Sequence, residues 1–206
     1  MNKTSFIYGT LNPAKLKVME DFLEPINIEI VGLKSLGMTF PDVDESGSSP
    51  LENARIKALA YYNILKSPVF ACDSGLYIEG LSEDEQPGVH IRRVNNKRMD
   101  DEQMIDYYTA VAAKLGGKAP AQYRNAICLV MSENEIYEDF SEDLFGEAFF
   151  ITDKPHAKRV QGFPLDSISV HIKSGEYYYE RPDDVASTVG DGVRRFFTNL
   201  QKNLIL

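Results

Sequence analysis

Cysteine and histidine are scarce in this chain: 206 residues contain two of the first and three of the second. Cys72 and Cys128 lie in strand-like apolar stretches without CxxC or zinc-ligand spacing. That pattern points to buried free thiols in a reducing compartment and argues against a structural disulfide. His90, His156 and His171 have no i,i+4 partner, and Ser74 in "DSGL" is not a G-x-S-x-G elbow. A serine or cysteine hydrolase is therefore disfavoured. No apolar run approaches the roughly 20 residues that span a bilayer. "MNKTSFIYGT" has neither a long apolar region nor a small-residue cleavage site, so the expected location is the cytoplasm, with no membrane partner. Basic residues are outnumbered, 22 Lys and Arg against 31 Asp and Glu, for a net charge of −9. Such a field repels polyanions, which argues against a nucleic-acid polymer as partner. It still admits a small anionic substrate, provided a divalent metal and a few placed lysines invert the potential locally.

The composition that is present, 43% hydrophobic and 26% charged, is that of an ordinary globular domain. "SFIYGT" (5–10) reads as a strand that passes into a helix over 12–23, with Asn12 as N-cap, Pro13 in the first turn and Leu16, Met19 and Leu23 on one face. A second strand covers 28–33. Ser49 and Glu52 form a capping-box pattern ahead of a second helix whose buried stripe is Leu51, Ala54, Ala58, Tyr61 and Leu65. "SPVFACDSGLYIEGL" predicts a strand to about Cys72, a turn at Ser74-Gly75 and a returning strand. A helix over 100–115 ends at Gly116-Gly117. Strands at 122–131, 135–140 and 145–151 suggest an antiparallel meander. "YYYERPDD" reads as an edge strand or subunit contact, and residues 185–206 as a closing helix whose first turn Gly190 and Gly192 weaken. There is no repeat, low-complexity tract or linker. A single α/β domain over 1–206 built on a mixed sheet with flanking helices is the economical reading.

Four charged residues stand out. Glu45 lies in "DVDESGSS" ahead of the second helix and Asp73 at the end of the third strand, where open α/β sheets place ligands. Each has a plainer reading: acids before a helix complement its dipole, and an Asp before Ser-Gly satisfies turn amides. Lys15 occupies the first turn of the first helix, where a cation is mildly unfavourable unless an anion visits. Lys57 follows Asn53 by four residues and shares its side of the helix, where the alternative is a solvated lysine. Together, two acids and two amines suit a nucleoside triphosphate with Mg²⁺, which takes carboxylate oxygens, water and phosphate as ligands. A carboxylate partly removed from water costs several kcal/mol unless a cation compensates it.

"YGTLNPAKLKVMEDFL", "DESGSSPLENARIKALA", "PVFACDSGLYIEGL" and "PGVHIRRV" occur in the order and spacing of the inosine triphosphate pyrophosphatase family, and the first 95 or so residues resemble that family well. The resemblance implies a twisted mixed sheet in two lobes around a central cleft. It also implies a Mg²⁺-dependent cut between α- and β-phosphates of aberrant purine nucleotides, usually by a homodimer. By position it assigns Asp73 and Lys57 as catalytic and Glu45 and Asp73 as metal ligands. Thr10, Asn12, Lys15, Asn53, Ser74, Gly75, Arg93, Phe163 and Asp166 become substrate-binding. Phe163, in "VQGFPLDSI", matches a base-stacking aromatic, the alternative being a core Phe at a strand entry. The chain departs from the pattern at several points. Cys72 stands where the family has a second acid, Leu11 and Ala14 replace small glycines, and Pro164 and Ser167 are altered. "DDVASTVGDG" lacks the family's Ser-His-Arg. These departures favour an altered base preference, or, as the rival, a nucleotide- or partner-binding protein that kept the fold and lost turnover.

Overall fold

The computed structural model describes residues 4–94, 97–180 and 188–204. In chain order the elements are β1 (Thr4–Tyr8), α1 (Pro13–Leu23), β2 (Ile28–Gly32), α2 (Pro50–Leu65), β3 (Val69–Ile78), β4 (Arg93–Val94), β5 (Lys97–Arg98), α3 (Asp101–Lys114), β6 (Lys118–Ser132), β7 (Glu135–Asp139), β8 (Phe149–Thr152), β9 (Ser169–His171) and α4 (Thr188–Leu204). Strand pairing follows the order β2-β1-β3-β6-β8-β9, with β7 on β6. β1 runs parallel to β2 and β3, whereas β6-β7, β6-β8 and β8-β9 are antiparallel, so the sheet is mixed. The residues divide into two compact units. The first is Met1–Ser74, Arg124–Phe145 and Ser187–Leu206; the second is Gly75–Tyr123 and Gly146–Ala186.

In the first unit the helices form where the sequence signals them. Asn12 caps α1 by accepting from the Ala14 and Lys15 amides at 2.9 and 3.4 Å, and Pro13 fits the first turn. Ser49 caps α2 through the Glu52 amide at 3.2 Å. The capping box is displaced, however: the Glu52 carboxylate turns to the Ser48 amide and hydroxyl at 2.7 and 2.9 Å. β3 shows the period-two logic of a strand covered on both faces. Phe70 joins a core with Phe6, Tyr8, Met19, Leu23 and Phe197, while its neighbours Val69 and Ala71 join another with Ala54, Ala58 and Tyr61. The same alternation separates the cysteines. Cys72 packs against the first of these cores and Cys128 lies in the second, and both are free.

The second unit packs Met104, Ile105, Tyr108 and Ala112 of α3 against Leu76, Ile78, Ala119, Ala121, Phe149 and Ile151. Asp100 and Gln103 cap α3 reciprocally, and Gly116 and Gly117, both at φ +94°, end it.

Three sequence expectations are corrected. Ser74-Gly75 is not a turn: β3 runs straight through it, and a Cβ at Gly75 would crowd the Tyr77 ring at 3.0 Å and the Gly88 carbonyl at 3.2 Å. Gly88 is hydrogen-bonded in both directions with Leu76, at 2.9 and 3.0 Å. The middle is not a simple meander. β6 begins at Lys118, and both β7 and β8 pair with it, β8 against residues 118–121 and β7 against 127–132. Pro120 obscured that start, yet its carbonyl accepts the Glu79 amide at 2.8 Å. In "YYYERPDD" the described part is 177–180: Tyr177 makes a single antiparallel bridge to Val170, and Tyr178–Glu180 is a 3-10 turn, so the edge contact is one bridge and not a strand; residues 181–187 lie outside the described residues. Among the described residues no helix is long and apolar enough to cross a membrane.

Candidate active site

β1 ends beside the start of β3, with the Gly9 amide donating to the Phe70 carbonyl at 2.7 Å. β1 then delivers Thr10, Asn12 and Lys15 in sequence. The Thr10 hydroxyl accepts from the Asn12 amide at 3.2 Å, and the Asn12 carboxamide oxygen caps α1. Asn12 thus shapes the loop with its oxygen, and Lys15 stands exposed one turn into the helix. Its charge acts on Cys72, as does that of Lys57.

β3 carries Asp73 into the buried end of this region. Asp73 is 7% and Lys57 8% exposed, and the Lys57 ammonium donates to Asp73 Oδ1 at 2.8 Å and to Glu45 Oε2 at 3.4 Å. The solvated reading of Lys57 is therefore overturned. Helical spacing places it beside Asn53 on the sequestered side of α2, and both are buried. One ammonium gathers both acids, so their bonded oxygens can be no farther apart than those two hydrogen bonds laid end to end. Glu45 keeps nearly half of its side chain in solvent. Its loop is pinned two residues on, where the Asn53 carboxamide oxygen accepts the Gly47 amide at 2.8 Å. A Cβ at Gly47 would lie 2.7 Å from that same oxygen.

Ser74 donates to Asn125 Oδ1 at 2.7 Å, and Asn125 Nδ2 donates to the Leu144 carbonyl at 2.7 Å. Cys72, at the position of the family's second acid, is the opposite of an activated thiol: burial pushes it up to about 12. Tyr8 beside it is also raised, chiefly by burial, with the nearby Asp73 charge adding to it. Both shifts favour neutral side chains at Tyr8 and Cys72, beside Asp73.

The arrangement fits a hard divalent cation. Two carboxylates already converge on a positive group, and oxygen ligands from one or two acids suit Mg²⁺, which retains water and phosphate oxygens. Among the described residues no group of three or more His, Cys, Asp or Glu side chains could hold a metal. Glu45 and Asp73, which share the Lys57 ammonium, are the two acids that could hold it.

The remaining expected site residues belong to the second unit. Gly75 lies buried against Gly88. Arg93 is exposed and borders a cavity of about 600 Å³ with His90, Tyr107 and Lys114. Phe163 is 46% exposed, which overturns the core reading. Asp166 lies three residues beyond it, with burial raising its carboxyl. Of the stretch 183–192, residues 183–187 fall outside the described residues. Sequence reasoning missed Gly47, Asn125 and Asp101, and set Arg92 aside in favour of Arg93. Gly47 lies in a loop and Asn125 in a strand, while Asp101 reads as one more acid in the first turn of a helix.

A sequence model of the Ham1 family matches residues 6–180. A dITP/XTP pyrophosphatase of Treponema denticola is 32% identical over 171 residues, covering 82% of this chain and 84% of the relative. Another, of Bradyrhizobium diazoefficiens, is 32% identical over 136 residues, covering 64% of this chain and 63% of the relative. The chain thus spans under two thirds of that relative's length and more of the other. The solved structure of a HAM1 protein from Coxiella burnetii superposes with a TM-score of 0.76 over 97% of this chain and 99% of its own, at 24% identity. That identity speaks for the fold alone. The chain belongs to the Ham1 family, the inosine triphosphate pyrophosphatase family that its four motifs resemble.

Proposed function

We propose that this protein is a Mg²⁺-dependent nucleoside triphosphate pyrophosphohydrolase, cutting between the α- and β-phosphates of aberrant purine nucleotides to give nucleoside monophosphate and pyrophosphate. The observation that carries the reading is the cluster of Glu45, Lys57 and Asp73, two acids held by one buried amine. The dITP/XTP pyrophosphatase names of the relatives supply the substrate class. Glu45 and Asp73 would hold Mg²⁺, which would supply Lewis-acid charge for phosphate oxygens.

The chain's own residues do the rest. Asp73 orients the attacking water and takes its proton as the water oxygen bonds the α-phosphorus. The bond from that phosphorus to the bridging oxygen breaks, and its electron pair leaves with pyrophosphate. Lys57 and Lys15 neutralise the charge that gathers there. Asn53 holds the Glu45 loop through Gly47, and Thr10 and Asn12 shape the loop that receives phosphate. Phe163 stacks on the base, and Asp166 and Arg93 bind the substrate, the roles that the family resemblance implies. The substrate is met in the cytoplasm, and the working form is a homodimer.

The test is a panel of nucleoside triphosphates, including dITP and XTP, incubated with Mg²⁺ while pyrophosphate and orthophosphate are both read. Pyrophosphate and the monophosphate are expected from at least one member. Orthophosphate as the product would contradict the cleavage position. A nucleotide-dependent rise in Tm without product would favour the binding rival, for which Cys72 in place of an acid speaks.

A further inference from the structure

Arg92, the neighbour of the arginine that the sequence singles out, is bound into a ring that fixes the loop before Phe163. Its Nη1 donates to Asp101 Oδ1 at 2.8 Å and its Nη2 to the Gly162 carbonyl at 2.9 Å, while the Gly162 amide donates to Asp101 Oδ2 at 2.7 Å. Each of the three groups thus bonds the other two. Both polar groups that Gly162 offers are engaged, and Gly162 sits at φ +86°, a conformation glycine adopts without strain. Asp101 is the first residue of α3, whose N-terminal dipole also favours its charge. The Gly162 amide and Arg92 together hold its carboxyl below the ordinary range. Three residues before Gly162 in the same loop, Arg159 donates to Glu102, the next residue of α3, at 2.9 Å.

An isolated ion pair with side chains about a third exposed, as Arg92 and Asp101 are, contributes little to stability. A planar guanidinium that bonds a carboxylate and a backbone carbonyl at once instead fixes direction. What it fixes is the peptide immediately before Phe163, an exposed aromatic that no core packing holds in place.

We propose that Arg92 and Asp101 are positioning residues for base recognition, presenting Phe163 to the purine by clamping Gly162. This rests on the reading of Phe163 as the base-stacking residue. Pre-ordering a loop removes an entropic penalty from binding and leaves the chemistry at the phosphates alone, so the clamp acts on affinity for the nucleoside end.

The experiment compares the full-length protein with Arg92→Met, Asp101→Asn and Arg92→Lys, using XTP and dITP as substrates and inorganic pyrophosphate as inhibitor. Arg92→Met and Asp101→Asn are expected to raise KM about tenfold, with kcat within about twofold and pyrophosphate inhibition unchanged. Arg92→Lys keeps the charge and one of the two bonds and falls between. Faster hydrogen exchange at the Gly162 amide accompanies the change. The proposal is overturned if KM stays at its wild-type value in both disabling variants, or if KM, kcat and pyrophosphate inhibition move together as in a general loss of structure. Should the wild type turn nothing over, the same variants are compared by calorimetric binding of XTP. A tenfold weakening then sustains the clamp while the hydrolase reading fails, and equal binding in all variants, or none in the wild type, overturns the clamp.

Discussion

Lys57 is the residue on which the site's electrostatics turn. An ammonium some nine-tenths buried is stable because two carboxylates surround it, and Asp73 is tolerable at the same depth for the reciprocal reason. Lys57→Met removes the shared partner and leaves two acids facing each other. We expect a loss of about 3 kcal/mol in urea unfolding without divalent cation, partly recovered when Mg²⁺ is added, and a fall in kcat of about a hundredfold. Unfolding at the wild-type midpoint with no response to Mg²⁺ would remove the site's cation-binding character. Much of this was legible beforehand, because helix period places Lys57 with Asn53 and away from the apolar stripe. The burial was not legible, since a lysine four residues after an asparagine looks the same whether water or two carboxylates surround it. Cys72 shows the same limit. The resemblance marks it as a missing acid, but only the burial that folding brings pushes its thiol up to about 12, against the lowering pull of Lys15, Lys57 and the Tyr8 hydrogen bond.

At the scale of elements, glycines divide what local propensity can and cannot reveal. Gly192 reads as a defect in the closing helix, worth about 1 kcal/mol against alanine. In the structure α4 passes so close to the turn Glu142–Leu144 that a Cβ at 192 would overlap the Asp143 carbonyl oxygen and lie 2.6 Å from its carbon. Gly192→Ala should therefore reverse the usual sign and destabilise by about 1–3 kcal/mol in chemical denaturation. A gain in stability would show that α4 is not packed against that turn. Gly75 misled in the same way, reading as a turn when it makes room for Gly88. Helices announced by caps and apolar periodicity, α1, α2 and α3, were found within a residue or two of their ends. The long β6 was truncated in the reading because Pro120 looks like a boundary, and because nothing local shows that one strand takes β7 at one end and β8 at the other.

At the scale of the molecule, the proposed function sets an acidic protein to act on a small anion, and the sign of the local field decides whether it can. On that reading Lys15, Lys57 and a bound divalent cation would supply positive charge where the net balance of −9 does not. The ordered motifs made the family legible, because their residue types are dictated by phosphate and metal chemistry. The base end was less so: Arg92, Asp101 and Gly162 meet only after the chain has folded, from positions separated by as many as 70 residues. The central claim is that Asp73 and Glu45 together support hydrolysis at the phosphates. It is tested most directly by the rate of pyrophosphate release from XTP with Mg²⁺, wild type against a folded Asp73→Asn protein. The account predicts a fall in kcat of at least about a hundredfold; turnover within about twofold of wild type would contradict it.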